Sequence, residues 1–388
     1  MSAPDELTIP SPADFHVHLR QGAMSELVTP HVGEGGISLA YVMPNLVPPL
    51  TTAADAESYI SQLHKLSPST HFLATLYLSP SLTPEEIRKA AAAGIVRGVK
   101  SYPRGVTTNS DGGIEDYETY YPIFEEMERC NLVLNLHGEL PSDIDRGICV
   151  MNAEHEFLAH LHKIHNRFPN LRIVLEHATT AKAVEAVKAC GDTVGCTITP
   201  HHLQLVVDDW AGKPLNFCKP VAKLPSDRQA LRDVIRSGHP RFFLGSDSAP
   251  HPLANKYPSA VTHGAPGVRP AASGDDLEPT GVIACGCAAG VYTSPILVPL
   301  CATLLESFGA LDQLANYVSL NGRKFYGYDQ PDQLAKGTIK LRRTQAPSNV
   351  VPPVYVHPKC QAMGDGDTDK VQVVPFWAGK KLAWEIVN

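Results

Sequence analysis

Asp14-Phe15-His16-Val17-His18-Leu19-Arg20 places two histidines two positions apart in a strand-like run. Side chains of a strand alternate between its two faces, so His16 and His18 are expected to point the same way. They can then bind one metal ion side by side, and the same alternation would carry Arg20 onto that face. The segment predicts a strand that delivers metal ligands.

Four further polar side chains each follow a short run rich in Val, Ile or Leu. They are Lys100, His137, His177 and Asp247. A barrel of parallel strands gathers the side chains at its strand ends on one face. Together with the two histidines, this set predicts the centre of a two-metal hydrolase.

Eight strand-like runs occur between residues 13 and 248, mostly separated by helical patterns. The runs lie near residues 13–18, 38–44, 71–78, 96–102, 131–139, 172–178, 193–199 and 241–248. Helical spacing of apolar residues marks 52–66, 152–167 and 226–237, and another helix is expected between Thr83 and Gly94. The alternation favours an α/β fold of the (β/α)8 TIM barrel type, which needs about 250 residues. A doubly wound open sheet is the structural alternative.

Two irregular stretches interrupt this alternation. Residues 250–279 are rich in Pro, Gly, Ala and Ser, and residues 343–370 contain several Pro and Gly residues. We expect residues 1–342 to form the barrel, with a rim insertion at about 252–284. Residues 343–388 are expected to form a C-terminal extension, in which a surface linker precedes a strand-like segment that packs back on the barrel.

Composition limits the possible classes of protein. The chain has 388 residues, of which 43% are hydrophobic, and a net charge of −7. No apolar run reaches the ~18–20 residues of a membrane span, and no basic region suggests a nucleic-acid partner. Nine scattered cysteines do not suggest a disulfide framework, and the N-terminus does not resemble a secretory signal. We therefore expect a cytoplasmic protein without membrane or nucleic-acid partners.

Lys100 is an unusual residue among metal ligands, because an ammonium group has no lone pair. Two divalent ions bring four positive charges, and neutral histidines cancel none of them. If the amine of Lys100 reacts with CO₂, it becomes an anionic carbamate whose two oxygens can reach one ion each. We hypothesise this covalent modification for Lys100.

The ordered set of motifs resembles the amidohydrolase superfamily, and within it the class II, single-function dihydroorotases. The resemblance covers nearly the whole chain. Its motifs are Phe15-His16-Val17-His18-Leu19-Arg20, Val42-Met43-Pro44-Asn45, Lys100-Ser101-Tyr102-Pro103, Thr107-Thr108-Asn109, Leu136-His137-Gly138-Glu139, Glu176-His177-Ala178-Thr179-Thr180, Thr197-Ile198-Thr199-Pro200, Gly245-Ser246-Asp247-Ser248-Ala249-Pro250-His251, Cys285-Gly286-Cys287-Ala288, Asn321-Gly322 with Phe325-Tyr326-Gly327, and Val374-Pro375-Phe376 with Ala378-Gly379.

The resemblance implies a zinc-dependent cyclic amide hydrolase in pyrimidine biosynthesis. Its reaction would be the reversible cyclisation of N-carbamoyl-L-aspartate to L-dihydroorotate, at two zinc ions bridged by carboxylated lysine and hydroxide. One zinc would be held by His16, His18, Asp247 and carboxylated Lys100. The other would be held by His137, His177 and the same lysine. The resemblance also implies that Asp247 is the general base and acid, and that the enzyme is a homodimer.

The resemblance extends to the substrate, a small molecule with an α-carboxylate. Arg20, Asn45 and His251 match the positions that hold that carboxylate. Main-chain groups near Lys219 and Ala288 would contact the ring, and Thr107 and Thr108 match a mobile loop that closes over the substrate. The segment between His251 and Cys285 is longer than usual for the family, which makes the match of Ala288 less secure than that of the metal ligands.

Each of these residues has an ordinary structural explanation when taken alone. The histidines could be core residues, Asp247 could cap the following turn, and Lys100 and Arg20 could be surface cations. Their joint placement at successive strand ends favours the metal site. His201-His202 is not predicted as a ligand pair, because adjacent residues of a strand face opposite ways; a structural role, or a supporting role behind the metal ligands, is favoured. Cys285-Gly286-Cys287 has no second cysteine pair and is a weak zinc motif.

Three alternative functions remain open. A related cyclic amidase acting on hydantoins, dihydropyrimidines or allantoin would share the metal centre and differ at the residues that hold the carboxylate. A non-catalytic barrel used as a scaffold is disfavoured by the complete ligand set. A nucleic-acid deaminase is disfavoured because its H-x-E and P-C-x-x-C motifs are not evident.

Overall fold

The structure is a computed structural model. It describes residues 5–110, 112–114, 116–257, 261–262, 282–283, 287–330, 337–344, 346, 349–363 and 370–387. Most of the predicted rim insertion, the pair Cys285-Gly286 and residues 364–369 therefore lie outside the described residues.

The strands of the described residues are numbered in chain order. They are β1 (Glu6–Pro10), β2 (Ala13–Val17), β3 (Leu39–Val42), β4 (His71–Tyr77), β5 (Val96–Ser101), β6 (Val133–His137), β7 (Ile173–Glu176), β8 (Val194–Ile198), β9 (Phe242–Leu244), β10 (Val261–Thr262), β11 (Val282–Ile283), β12 (Thr338–Arg343), β13 (Tyr355–Val356), β14 (Gln372–Val373) and β15 (Trp384–Val387).

The α-helices are numbered in the same way. They are α1 (Gly22–Val28), α2 (Pro30–Glu34), α3 (Ala53–Leu66), α4 (Pro84–Ala93), α5 (Tyr121–Arg129), α6 (Ala153–Arg167), α7 (Ala181–Ala189), α8 (Val207–Trp210), α9 (Pro225–Arg236), α10 (Leu253–Lys256), α11 (Leu297–Ser307) and α12 (Asn321–Tyr326). Short 3-10 helices span Glu118–Tyr120, Pro214–Asn216, Ser294–Ile296, Leu311–Gln313 and Pro358–Cys360, and a π-helix spans Asn316–Leu320.

Strands β2 to β9 form a parallel sheet in which each strand pairs with the next one along the chain. The first and last strands meet where the backbone N–H of Asp247 donates to the carbonyl of His16 at 2.9 Å. A parallel bridge between Val17 and Ser248 continues this contact. The ring of strands is therefore nearly closed, and the predicted TIM barrel is confirmed.

The barrel strands are buried on both faces, as expected when helices cover the outside of a parallel sheet. Aromatic side chains fill one end of the interior, where the ring of Phe15 stacks on that of Tyr326 with centroids 4.6 Å apart. This packing leaves the polar strand ends to converge at the other end. The core thus fixes where the functional residues lie.

The predicted helices begin and end where their sequence motifs indicate. Thr52 caps α3 in a capping box with Asp55, and Thr83 caps α4 by accepting from the N–H of Glu86. Gly94 ends α4 in a left-handed conformation, with φ 76°. Within the described residues, every helix is too short or too polar to span a lipid bilayer.

The two ends of the chain meet in a small antiparallel sheet of order β1-β12-β15. Trp384 in β15 is fully buried, and its indole N–H donates to Glu306 in α11 at 3.1 Å. The side chain of Arg343 lies over the same ring and pairs with Glu306. In the middle of the extension, β13 pairs with β14. Strands β1 and β12 did not stand out in the sequence.

Candidate metal centre and active site

Six polar side chains converge at the carboxyl end of the barrel, and all six are buried. They are His16 in β2, His18 just after β2, Lys100 in β5, His137 in β6, His177 just after β7 and Asp247 just after β9. The structure thus brings together the residues that the sequence placed at successive strand ends.

Asp247 lies against both histidines of the first strand. Its Oδ1 is 3.1 Å from Nε2 of His18 and 3.5 Å from Nε2 of His16. Burial alone would raise the pKa of Asp247, but the hydrogen bond from His18 and the charges of His16, His18 and Lys100 lower it to about 2. The ligand atoms of these three residues lie within 4.8 Å of one another, close enough to share one metal ion.

The other two histidines lie beside this group. The ring centroids of His137 and His177 are 4.7 Å apart, and those of His16 and His177 are 5.0 Å apart. The Nδ1 atom of His177 is buried and has no hydrogen-bond partner among the described residues. A buried polar atom without a partner is costly, and a metal ion in contact with these rings would remove that cost.

Lys100 is fully buried, and no described residue accepts a hydrogen bond from its Nζ atom. Burial lowers the pKa of Lys100 to about 8, although the charges of Glu176 and Asp247 raise it. An isolated buried amine among four imidazoles is hard to explain as a structural cation. The amine of Lys100 is therefore a buried group that lies beside the candidate metal ligands without a hydrogen-bond partner in the described part of the chain.

A second layer of carboxylates orients the imidazoles. Oε2 of Glu176 accepts from Nδ1 of His16 at 2.8 Å, and Oε1 accepts from the amide of Asn135 at 2.7 Å. Glu139 lies 2.9 Å from Nε2 of His137. Such partners fix the tautomer and orientation of a metal-binding histidine. The sequence did not predict a role for Glu139 or Glu176. The one signal available was that each lies within two residues of a predicted histidine ligand.

Three non-glycine residues of the site adopt left-handed backbone conformations, with φ 57° at Arg20, 42° at His177 and 45° at Asp247. Such residues cost roughly 1–3 kcal/mol each and cluster at functional sites. The N–H of His177 donates to Oγ1 of Thr197 at 2.7 Å, which holds one of these turns. The chain therefore bends sharply where the strands deliver these side chains.

Strand alternation does not carry Arg20 to the site, contrary to prediction, because β2 ends at Val17 and Arg20 has a left-handed backbone with φ 57°. The guanidinium reaches the site by another route. Its Nε donates to the carbonyl of Pro250 at 3.0 Å, and its Nη2 lies 3.2 Å from Nε2 of His251. Arg20 and His251 therefore lie together, as the resemblance implies.

A pocket with about 260 Å³ of empty space opens beside Asp247. Five of the seven residues predicted to bind the substrate line it, and His251 lies behind Arg20. Ala288 does not line it, because its N–H donates to Asn255 and its carbonyl accepts from Lys256. The lining residues are His18, Arg20, Asn45, Thr107, Thr108, Lys219, Asp247, Ala249, Ala289 and Gly290.

The loop after β5, which comprises residues 104–113, lies at the mouth of this pocket and is described except for residue 111. Nδ2 of Asn45 donates to the carbonyl of Thr108 at 3.1 Å, and Nδ2 of Asn109 donates to the carbonyl of Asn45 at 2.9 Å. Oδ1 of Asn45 also lies 2.8 Å from Nδ1 of His18. Asn45 thus connects the loop to the metal-site histidines.

His201 and His202 lie in a turn after β8, so the reason given for setting them aside is wrong. Their ring centroids are 4.5 Å apart, and together with Cys218 they form a second buried group with ligand atoms within 4.8 Å. However, Nδ1 of His202 bonds to Thr199, and its Nε2 lies 3.0 Å from the carbonyl of Pro220. These bonds agree with a structural role for His202.

Comparisons with known proteins agree with this geometry. Residues 7–337 match the amidohydrolase family. The chain is 74% identical to a dihydroorotase of Mycosarcoma maydis, over 99% of each chain. The chain belongs to the amidohydrolase family.

Two solved structures help to place the chain within that family. A crystal structure of dihydroorotase from Saccharomyces cerevisiae in complex with 5-fluoroorotic acid has a TM-score of 0.85 and 42% identity, and the match covers 99% of both chains. An L-hydantoinase from Arthrobacter aurescens has a TM-score of 0.75 at 18% identity, over 98% of this chain and 83% of that one. The second likeness shows the fold alone. The chain is a hydrolase of this family, its similarity is to dihydroorotases, and the hydantoinase-like alternative is not favoured.

Proposed function

We propose that this protein catalyses the reversible cyclisation of N-carbamoyl-L-aspartate to L-dihydroorotate in pyrimidine biosynthesis. The single observation that carries the proposal is the position of Arg20, whose guanidinium lies at the edge of a pocket that also contains Asp247. The pocket therefore offers a carboxylate-binding cation beside the candidate metal centre. The match over the whole chain to a relative named dihydroorotase supports the same reaction.

The proposed cofactor is a pair of zinc ions. His16, His18 and Asp247 would hold one ion, His137 and His177 would hold the other, and Lys100, carboxylated by CO₂, would contribute one oxygen to each. Imidazole and carboxylate are suitable ligands for zinc. The unpartnered buried atoms of Lys100 and His177 support this assignment. When bound, the ions would polarise the substrate carbonyl and lower the pKa of a water molecule.

Asp247 is the proposed proton carrier. In ring opening it accepts the proton of the attacking water and then passes it to the leaving ring nitrogen, acting first as base and then as acid. Its low pKa keeps the carboxylate ionised, as a proton acceptor must be. In ring closure the ureido nitrogen attacks the side-chain carboxylate carbon of N-carbamoyl-L-aspartate and loses a proton to Asp247. Asp247 returns this proton to the departing oxygen, which leaves as hydroxide and becomes water with a second proton from solvent.

The substrate's α-carboxylate is proposed to bind Arg20, with Asn45 and His251 completing the subsite. A guanidinium forms two parallel hydrogen bonds with a carboxylate, which suits this task. Lys219 is proposed to contact the ring through its main chain, whereas Ala288 is not, because its N–H and carbonyl are bonded to Asn255 and Lys256. Thr107 and Thr108 are proposed to hydrogen-bond the substrate from the overlying loop. The proposed assembly and location are a homodimer and the cytoplasm.

The test is an assay of the purified protein with dihydroorotate and with N-carbamoyl-L-aspartate, with the metal content measured on the same sample. We expect interconversion of the two compounds and about two zinc ions per chain. Lys100→Ala should lose metal and activity together, and a short carboxylic acid added to that variant should partly restore both.

The assay also separates the alternatives. Hydrolysis of hydantoin or dihydrouracil as fast as dihydroorotate would support a broader cyclic amidase instead. Full metal content without turnover of either compound would support a non-catalytic barrel. A fully active two-zinc enzyme with an unmodified ammonium at Lys100 would exclude the carbamate.

A further inference from the structure

Lys256 ends the short helix α10 on the rim of the barrel, and it is 5% exposed. Its Nζ atom donates three hydrogen bonds, all to main-chain carbonyls. The acceptors are Phe217 at 3.0 Å, Ala288 at 2.9 Å and Gly290 at 2.8 Å. An ammonium group has three N–H donors, so every donor of Lys256 is used.

The three carbonyls belong to two chain segments that meet at the pocket. One is 217–219 and the other is 288–290, and Lys219, Ala289 and Gly290 line the pocket. The segments are also joined directly, because the N–H of Gly290 donates to the carbonyl of Phe217 at 2.9 Å. Lys256 therefore binds both of the chain segments that form this side of the pocket.

The position of this wall leaves little freedom. A Cβ atom added to Gly290 would lie 2.4 Å from the carbonyl oxygen of Ala249 and 2.8 Å from the ring of His251. The wall is thus packed closely against the segment that follows Asp247. A small movement of residues 288–290 would change the shape of the pocket.

Lys256 also acts on the direction of a main-chain donor. The carbonyl of Ala288 and the N–H of Ala289 belong to one peptide group, and in a trans peptide they point in opposite directions. The ammonium bonds to the carbonyl on one side, so the N–H of Ala289 is turned to the other side. A hydrogen bond at the carbonyl also polarises the peptide group and strengthens its N–H as a donor.

The charge of Lys256 needs an explanation beyond packing. In the part of the chain that the structure describes, Lys256 forms no ion pair with a carboxylate, and burial lowers its pKa. Burying an unpaired charge is unfavourable, and apolar residues would fill the same space without that cost. The three charge-assisted hydrogen bonds that Lys256 donates to one wall of the pocket offset the cost of burying its charge.

We propose that Lys256 is a positioning residue for substrate binding, which holds residues 217–219 and 288–290 at the distance and orientation that the substrate ring requires. The inference rests on the proposed function, because it assigns that pocket to a cyclic amide. Lys256 itself lies behind the wall and would not contact the substrate.

The test compares Lys256→Met, which keeps the length of the side chain and removes its donors, with Lys188→Met at an exposed lysine of α7. We expect Lys256→Met to raise KM for dihydroorotate by about 10-fold or more, since small misplacements of binding groups have effects of this size. The metal content should stay normal, and kcat should fall by less than about 3-fold. Lys188→Met should match the wild type.

A second variant and a second measurement guard against misfolding. Lys256→Gln retains an amide donor and should recover part of the lost affinity, and orotate binding by calorimetry measures affinity without turnover. An unchanged KM in a folded, metal-loaded Lys256→Met variant would overturn the proposal, and so would a KM for Lys256→Gln that is no lower than that of Lys256→Met. If the metal content or kcat fell by as large a factor as KM rose, Lys256 would have a general structural role, and the proposal would also be overturned. If the wild type itself does not act on dihydroorotate, the proposed function fails, which is a separate result.

Discussion

At the scale of single residues, Asp247 combines two properties that a proton carrier at a metal centre needs. Its carboxylate contacts two histidines, and it also lines the pocket. Its backbone conformation, with φ 45°, turns the side chain inward directly after β9. The same carboxylate can therefore serve a metal ion and a substrate.

Asp247→Asn separates these two properties. The amide keeps the size of the side chain and one oxygen, so part of the metal should remain while proton transfer stops. A positioned acid–base group contributes ~10²–10⁴-fold to the rate. We therefore expect kcat to fall by at least ~10²-fold. Activity and metal content are measured together, and near-normal turnover with both metals bound would show that another group carries the proton.

Arg20→Met tests the carboxylate subsite. A charge-assisted hydrogen bond contributes ~1.5–3 kcal/mol, and ~1.4 kcal/mol corresponds to tenfold. We therefore expect kcat/KM for dihydroorotate to fall by at least ~10-fold, with zinc content unchanged. The gap between dihydroorotate and dihydrouracil, which lacks the carboxylate, should narrow. Arg129→Met, at an exposed arginine of α5, is the control. If Arg20→Met lost the same factor of kcat/KM for dihydroorotate and for dihydrouracil, Arg20 would not be part of a carboxylate subsite.

At the scale of elements, the loop after β5 connects the candidate metal centre to solvent. It follows the strand that carries Lys100, and its threonines line the pocket. Among its described residues, Thr108 and Asn109 are bonded to Asn45, and Asn109 also accepts from the hydroxyl of Tyr77. An element held by few polar contacts can open at low cost.

Replacing both hydroxyls, in Thr107→Ala/Thr108→Ala, should depress turnover by about 10-fold or more, because the loop would lose its hydrogen bonds to the substrate. The metal content should not change, since neither threonine belongs to the metal centre. Steady-state kinetics and metal analysis check both points. Ser79→Ala/Ser81→Ala, at an exposed serine pair, is the control. Unchanged kinetics in the threonine variant would make the loop a simple connector.

At the scale of the whole molecule, the candidate metal centre joins five strands or strand ends of the barrel. Of its six buried polar side chains, Lys100 and His177 each have a polar atom without a hydrogen-bond partner among the described residues. Ligands that bind the folded state alone stabilise it, by about 2.7 kcal/mol at a concentration 100 times Kd. The metal ions should therefore stabilise the whole barrel.

Removal of the metal by a chelator should lower the melting temperature by several degrees, and zinc should restore it. Calorimetry of the apo and reloaded protein checks this. The effect should be largely absent in His16→Asn/His18→Asn, whose first site is disabled. An equal melting temperature with and without metal would mean that the centre contributes nothing to stability.

Acid stability should depend on His31, a buried histidine of α2. Burial lowers the pKa of His31 to about 4, from a usual value of 6.5. The folded state therefore disfavours the protonated form. The stabilising effect is complete above pH 6.5 and is lost as the pH falls from 6.5 towards 4, to an extent of at most about 3 kcal/mol.

His31→Asn removes this titration and retains a polar partner for Tyr292, whose hydroxyl lies beside Nδ1 of His31. Urea unfolding at several pH values between 7.5 and 4.5 should show a shallower decline for the variant than for the wild type. His155→Asn, at an exposed histidine, should keep the wild-type slope. Parallel curves for His31→Asn and the wild type would contradict the assignment.

The sequence by itself determined the barrel and the order of its polar strand ends. Apolar runs of strand length, capping residues and the Gly94 stop are local features, so the strands and helices could be located to within a few residues. The spacing of His16 and His18 likewise predicted that both would reach one point. Parallel strands in chain order then leave one end at which the predicted ligands can meet.

Only the tertiary structure decided which groups support the predicted ligands and substrate-binding residues. The contact of Glu176 with His16 joins residues 160 positions apart, and that of Arg20 with Pro250 joins residues 230 positions apart. The three bonds of Lys256 also depend on distant segments. Strands β1 and β12 pair with each other across the chain, and the alternation of Ile339 and Leu341 with polar residues in β12 does not indicate which strand is its partner. Such contacts form when packing brings distant segments together, so the periodicity of side chains along the sequence does not predict them.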